Sequence, residues 1–244
     1  MSELHIVALS GGKDSTALAF RLKELEPREY VYVCTPTGNE SDDMFEHWRN
    51  LRERLGGTFT PIIAGTLVQE IEHAMTIPNW RMRWCTRKLK IEPYAVFLIS
   101  ATKQYNKVVS YVGIRADEPE REAGDYSDIP GVEMRFPLRE WGWGVDDVIA
   151  YNNSLGISIP RRTDCKLCFF QRIGEWYELW QTNPAAWAEG ERLEALTGHT
   201  FRSPSRDTWP AGMAELRAEF EGGRLPRGLQ KDGIAELKCR VCTK

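Results

Sequence analysis

ALSGGKDSTALAF, residues 8 to 20, is the stretch that decides how this chain folds. An apolar run of strand length, Ile6 to Leu9, stops at Ser10-Gly11-Gly12-Lys13-Asp14-Ser15-Thr16. Ala17, Leu18, Phe20 and Leu22 then recur at helical spacing. Gly11 and Gly12 let the backbone approach a ligand closely, and the free amides of the helix start form an anion site. Lys13 adds a positive charge there, and Ser10, Ser15 and Thr16 add hydroxyls. Neither the Walker A spacing nor G-x-G-x-x-G is present.

Outward from this loop, apolar and β-branched runs recur at 30–34, 59–63 and 108–112, with helical patterns at about 15–25, 42–55 and 87–102. Ser41-Asp42-Asp43 suits a helix start, because acidic residues stabilise the positive end of the helix dipole. Alternating strands and helices predict an α/β fold: an open, mainly parallel sheet with helices on both faces. Thr37-Gly38-Asn39-Glu40 and Gly113-Ile114-Arg115 each follow a predicted strand, at the carboxyl edge where such sheets bind ligands. Arg115 has the geometry to fork onto phosphate or sulfate oxygens. After residue 159 the composition changes to a segment without clear strands, with Trp176, Trp180 and Trp187 near helical spacing. The tryptophans suit core packing. The expected organisation is a nucleotide-binding domain over 1–159 and a cysteine- and tryptophan-containing helical segment over 160–244. No internal repeat is visible.

The 244 residues carry a formal net charge of −3 and 42% hydrophobic residues, the balance of an ordinary soluble globular protein. No apolar run approaches the roughly 18 residues of a membrane span, and no signal peptide precedes the first strand-like run, so the expectation is a cytoplasmic protein without a membrane partner.

Six cysteines are present: Cys34, Cys85, Cys165, Cys168, Cys239 and Cys242. Cys34 ends an apolar run and reads as a small buried hydrophobe. The pairs Cys165/Cys168 and Cys239/Cys242 have C-x-x-C spacing, which in a cytosolic chain points to metal or redox chemistry. Four thiolates suffice for one tetrahedral zinc or one cubane cluster, and Cys85 is a fifth candidate. Arg81, Arg83, Arg87, Lys88 and Lys90 surround Cys85, and Arg161, Arg162, Lys166 and Arg172 surround the first pair. Lys238, Arg240 and Lys244 surround the second. Such neighbours favour thiolate and would hold an anionic substrate, nucleic acid included, despite the acidic total.

Ser10-Gly11-Gly12-Lys13-Asp14-Ser15 resembles the PP-loop of the ATP pyrophosphatases. TGNESDDMFEHW (37–48), RWCTRKLKIEP (83–93), VGIRADEPER (112–121) and PLREWGWGVDDVIAY (137–151) follow it. In this order, over about residues 5 to 170, they resemble the phosphoadenosine-phosphosulfate reductase branch of PP-loop proteins, with its phage and DNA-phosphorothioation relatives. The resemblance implies an adenine nucleotide alpha hydrolase-like fold and cleavage of ATP, with Mg²⁺, between the α and β phosphates to adenylylate an acceptor. It implies nucleotide contacts from residues 10 to 16, Thr37, Gly38, Gly113 and Arg115, with Lys13, Asp14, Arg115 and Cys85 as the candidate catalytic set. It also implies a sulfur donor such as a cysteine desulfurase.

Two departures from the reductases matter. Their loop is usually degenerate, whereas this one is intact; their tail carries a Glu-Cys-Gly-type catalytic cysteine, whereas this chain ends in KCRVCTK. In thiolating relatives a cysteine near position 85 joins a later C-x-x-C around a [4Fe–4S] cluster. The tandem Cys-Cys of cluster-bearing reductases is Trp84-Cys85 here, one ligand short, which the C-terminal pair could replace. The expected cofactors are ATP, Mg²⁺ and a [4Fe–4S] cluster, with zinc as the alternative. The leading reading is an ATP-cleaving PP-loop enzyme that supports sulfur transfer. Its rivals are a sulfonucleotide reductase and a zinc-containing nucleotide- or nucleic-acid-binding module without turnover.

Overall fold

In the computed structural model, residues 2–121 and 126–227 are described. Five strands, β1 (Glu3–Ala8), β2 (Val31–Cys34), β3 (Thr58–Pro61), β4 (Lys107–Tyr111) and β5 (Val132–Arg135), form one sheet in the order β3-β2-β1-β4-β5. Every pairing is parallel, and Ile6 stands opposite Val31 on one side and Ser110 on the other. Ile6 and Val7 are consecutive and both fully buried, as a central strand covered on both faces requires.

One face carries α1 (Lys13–Leu25), α2 (Asp42–Leu55), the short α6 (Pro137–Glu140) and α7 (Val145–Ser154), where Leu18 and Leu22 pack with Leu51, Leu55 and Val148. The other face carries α5 (Glu92–Thr102), whose Tyr94, Leu98 and Ala101 pack with Ile6, Val33 and Val108. A separate core joins α3 (Leu67–Ala74) to α8 (Ile173–Thr182), α9 (Pro184–Thr197) and α10 (Met213–Glu221). Leu67, Ile71 and Leu89 meet Trp176, Trp187 and Phe220 there. Trp176 and Trp187 are therefore core residues, as their spacing suggested, and Cys34 is buried. No described helix is long and apolar enough to cross a membrane.

The predicted helix at 87–102 is interrupted. It starts as α4 (Trp84–Thr86), widens into a π-helical turn over Arg87–Ile91, and continues as α5. Pro93 supplies the reason: it has no N–H to give the carbonyl one turn back, and its ring would collide with that carbonyl in a regular α-helix.

The strand order places β1 and β4 side by side, with chain connections running away from them in opposite directions. The crevice beyond their carboxyl ends is the topological switch point, where open α/β sheets bind ligands. Residues 9–16 and 112–115 both leave the sheet at this point.

Candidate active site

The glycine loop is held by its own side chains and by α2. Gly12 N–H donates to Ser10 Oγ (3.3 Å), Ser15 Oγ–H donates to Gly12 O (3.1 Å), and the two serine oxygens lie 3.0 Å apart. Trp48 Nε1–H donates to Ser10 O at 3.1 Å. Gly11 has φ +83°, and a Cβ there would lie 2.6 Å from both Met44 Cε and Trp48 Nε1. Gly12 differs: it lines the cavity, and an added Cβ would meet only Ser10 Oγ at 3.5 Å and Thr163 Oγ1 at 3.8 Å. Gly11 is required by packing behind the loop, and Gly12 keeps the front of the loop open.

Lys13 begins α1 and lines the same cavity. Only 8% of it is exposed, and Nζ has no hydrogen-bond partner among the described residues. The nearest carboxylate oxygen, Asp14 Oδ2, is 3.6 Å away. A buried ammonium without hydrogen bonds is costly until an anion reaches it.

Arg115 stands differently from its expected role. Its Nη1 donates to both oxygens of Asp14 (3.0 and 2.9 Å), Nε donates to Asp117 (2.8 Å), and Nη2 lies 3.2 Å from Glu118. The guanidinium is 5% exposed and is not part of the cavity wall. The fork expected to meet phosphate or sulfate oxygens is engaged by carboxylates. Asp14, a member of the expected catalytic set, is compensated by Arg115. Gly113 admits the first turn of α1, since a Cβ would lie 3.1 Å from Asp14 C and Ser15 N. Thr16 is fully buried and, like Gly11 and Gly38, does not line the cavity.

The cavity, about 1580 Å³, runs from the glycine loop along the carboxyl edge of the sheet to Cys85, Cys165 and Cys168. Thr37, expected to contact nucleotide, lines it but is bound to the cysteine loop: Thr37 Oγ1 is 3.1 Å from Cys165 Sγ and donates to Glu40 Oε1 (2.7 Å). Gly38 has φ +69°, and a Cβ would lie 2.7 Å from Thr66 Cγ2, so its absent side chain serves the turn. Arg162 braces the loop, donating to Asp164 Oδ1 (3.2 Å), Gln171 Oε1 (2.9 Å) and Cys165 O (3.0 Å). Asn39, Glu40, Arg162 and Gln171 were not among the predicted site residues. The sequence signal for the first two was a polar turn directly after a buried strand.

Burial opposes the thiolate form that the basic neighbours of these cysteines favour. Burial pushes Cys85 upward, with Thr86, Lys90 and Arg83 opposing. Burial likewise raises Cys165 against Lys90 and Thr37, and raises Cys168 well above the usual thiol range, with Asp164 adding to it. Desolvation outweighs the positive charges. Among the described residues, no group of three His, Cys, Asp or Glu side chains forms a ready site for one metal ion. Cys239 and Cys242 lie outside the described residues.

An all-parallel open sheet with a glycine loop at its switch point and a helical C-terminal portion defines a Rossmann-like α/β protein. The phosphoadenosine phosphosulfate reductase domain matches over residues 5–177, and the chain belongs to that family, in the PP-loop superfamily. It is an enzyme of that superfamily by this membership. The phosphoadenylyl-sulfate reductase of Candida auris, solved as a phosphate complex, is similar with a TM-score of 0.47 and 12% identity, over 65% of this chain and 75% of that one. The U34-tRNA thiolase of Methanococcus maripaludis, solved with its [4Fe–4S] cluster, has a TM-score of 0.49 and 16% identity, over 83% of this chain and 75% of that one. No curated protein matches the chain.

Proposed function

We propose that this chain cleaves ATP to AMP and pyrophosphate, adenylylates an acceptor oxygen, and supports sulfur transfer from the cysteine side of the same cavity. The observation that carries the reading is Lys13, a buried ammonium without a hydrogen-bond partner among the described residues, beside Gly12 on the cavity wall at a helix start. Those groups suit a polyphosphate. The acceptor oxygen attacks the α-phosphorus, the bond to the bridging oxygen breaks, and pyrophosphate leaves. Lys13 and the loop amides take up the charge that develops on the leaving group. Mg²⁺ would neutralise further polyphosphate charge.

Cys85, Cys165 and Cys168 are soft donors on one cavity wall and near enough to raise one another's pKa in sequence, Cys85 acting on Cys165 and Cys165 on Cys168. Thiolates are the ligands of a [4Fe–4S] cluster, and three of the four it needs face this cavity, with Cys239 and Cys242 as candidates for the fourth. When bound, the cluster supplies a site for holding or delivering sulfur. The acceptor is an anionic molecule, nucleic acid being one candidate, and the sulfur donor is a protein such as a cysteine desulfurase. The cations on the cavity wall, Lys13 and Lys90 among them, support an anionic partner.

The family match supports one second reading, reduction of a sulfonucleotide. Full-length protein purified without oxygen would be given ATP·Mg²⁺ with bulk RNA or duplex DNA, and in parallel adenylyl sulfate or its 3′-phosphate with a dithiol. Pyrophosphate release is the expected result. Sulfite release without pyrophosphate would replace the reading with the reductase. Tight ATP binding with neither product would make the chain a binding module.

A further inference from the structure

The turn that leaves β2, Thr37-Gly38-Asn39-Glu40, grips the cysteine loop. Asn39 is 7% exposed and uses both of its oxygens on that loop. Lys166 N–H donates to Asn39 O (2.6 Å), and Leu167 N–H donates to Asn39 Oδ1 (2.8 Å). Lys166 and Leu167 are the two residues between Cys165 and Cys168. The turn itself is pinned, because Glu40 Oε1 accepts from both the N–H and the hydroxyl of Thr37 at 2.7 Å. Lys166 Nζ adds a weak ion pair with Asp42 at 3.7 Å.

We propose that Asn39 is a positioning residue for the cysteine loop: its two acceptors, set by the end of β2, fix the consecutive amides between the cysteines and so fix where both thiols stand. Residue type matters here. An apolar replacement of similar size would leave the buried Leu167 N–H without a partner, whereas aspartate would keep the acceptor. The loop would then open locally more often, without a need for the sheet to unfold. At its other end the loop is adjacent to the glycine loop, with Thr163 Oγ1 only 3.8 Å from where a Gly12 Cβ would sit. Asn39 thereby sets the cysteines relative to the nucleotide half of the cavity. The inference rests on the reading that this loop carries the sulfur chemistry, but its test does not.

The test is hydrogen exchange by mass spectrometry across 163–171 in the full chain, together with iodoacetamide alkylation of Cys165 and Cys168 in the presence of a chelator. In Asn39→Leu both rates are expected to rise about ten-fold, the effect of one lost buried hydrogen bond on a local opening. Cys34, on the sheet, should keep its slow alkylation, and Asn39→Asp should stay within about two-fold of the parent. If the leucine variant does not fold, Asn39→Ser, which shortens the reach, is expected to show the same selective rise. Unchanged rates at 163–171, or a uniform rise that includes Cys34, would overturn the positioning role. A colourless, metal-free parent would defeat the cluster and leave this result standing.

Discussion

The glycine loop and the cysteine loop face one cavity, yet they are built on opposite principles. The first is a continuous piece of chain whose hydrogen bonds join Ser10, Gly12 and Ser15 to one another. The second is assembled from Cys85 on α4, Cys165 and Cys168 far along the chain, and a turn from the end of β2. Their electrostatics differ as well. The glycine loop presents a charged group, Lys13, that lacks a hydrogen-bond partner among the described residues; the cysteine loop presents thiols whose ionisation burial opposes. One side offers its ligand a cation, and on the other burial works against the charge of the thiols. A local device waits for a polyanion, and a long-range one waits for a metal or an electrophile.

The strongest way to break this contrast is to remove the waiting charge. Lys13→Met keeps the length of the side chain and deletes the ammonium. ATP binding by calorimetry is expected to weaken about a hundred-fold, the effect of losing a charge-assisted hydrogen bond to phosphate. Stability without ligand should stay level or rise, because a buried cation without hydrogen bonds has been removed. Unchanged affinity would show that the glycine loop holds no phosphate.

The two glycines sharpen the same side. At Gly11, φ is +83° and a Cβ would press on Met44 and Trp48, so Gly11→Ala should destabilise the fold by about 2 kcal/mol in urea unfolding. At Gly12 the backbone is extended and the neighbours stand at 3.5 Å or more, so Gly12→Ala should leave stability nearly unchanged and weaken ATP binding by filling the cradle. Equal stability losses at the two positions would mean that both glycines are structural.

What the sequence made legible follows the same division. The loop, four of the strands and α2 over 42–55 were readable because each is a local pattern: an apolar run, a helical period, a glycine pair. β5 was not, because Val132-Glu133-Met134-Arg135 is an edge strand without an apolar run, paired with β4 alone among the described residues. α3 was not, although Thr66 and Gln69 form a capping box at its start. Position after a strand assigns Arg115 and Thr37 to a ligand. Their partners, Asp14 at a separation of 101 residues and Cys165 at 128, exist only once the sheet has brought those segments together. Basic neighbours in sequence suggested thiolates, and sequence carries no measure of the burial that reverses the effect.

The smallest effect concerns what stands behind the cysteine loop. Glu194, on α9, accepts from Phe201 N–H (2.9 Å) and from Met213 N–H at the start of α10 (2.6 Å), tying three segments of the helical core together. Burial pushes its carboxyl up to about 7; the two N–H bonds oppose this, and Glu215 and Glu191 add to it. A carboxyl raised in the folded state contributes stability that is fully present below its unfolded value of 4.5 and is lost as pH rises through about 7. A glutamine at this position would bring no such titration, although one of the two N–H donors would face its NH₂ group. Glu194→Gln should therefore be the less stable protein at pH 5, and the deficit should shrink steadily as pH rises to 8. Urea unfolding followed by tryptophan fluorescence suits the measurement, since Trp176 and Trp187 lie in this core. A deficit that does not change with pH would show that Glu194 stays ionised throughout.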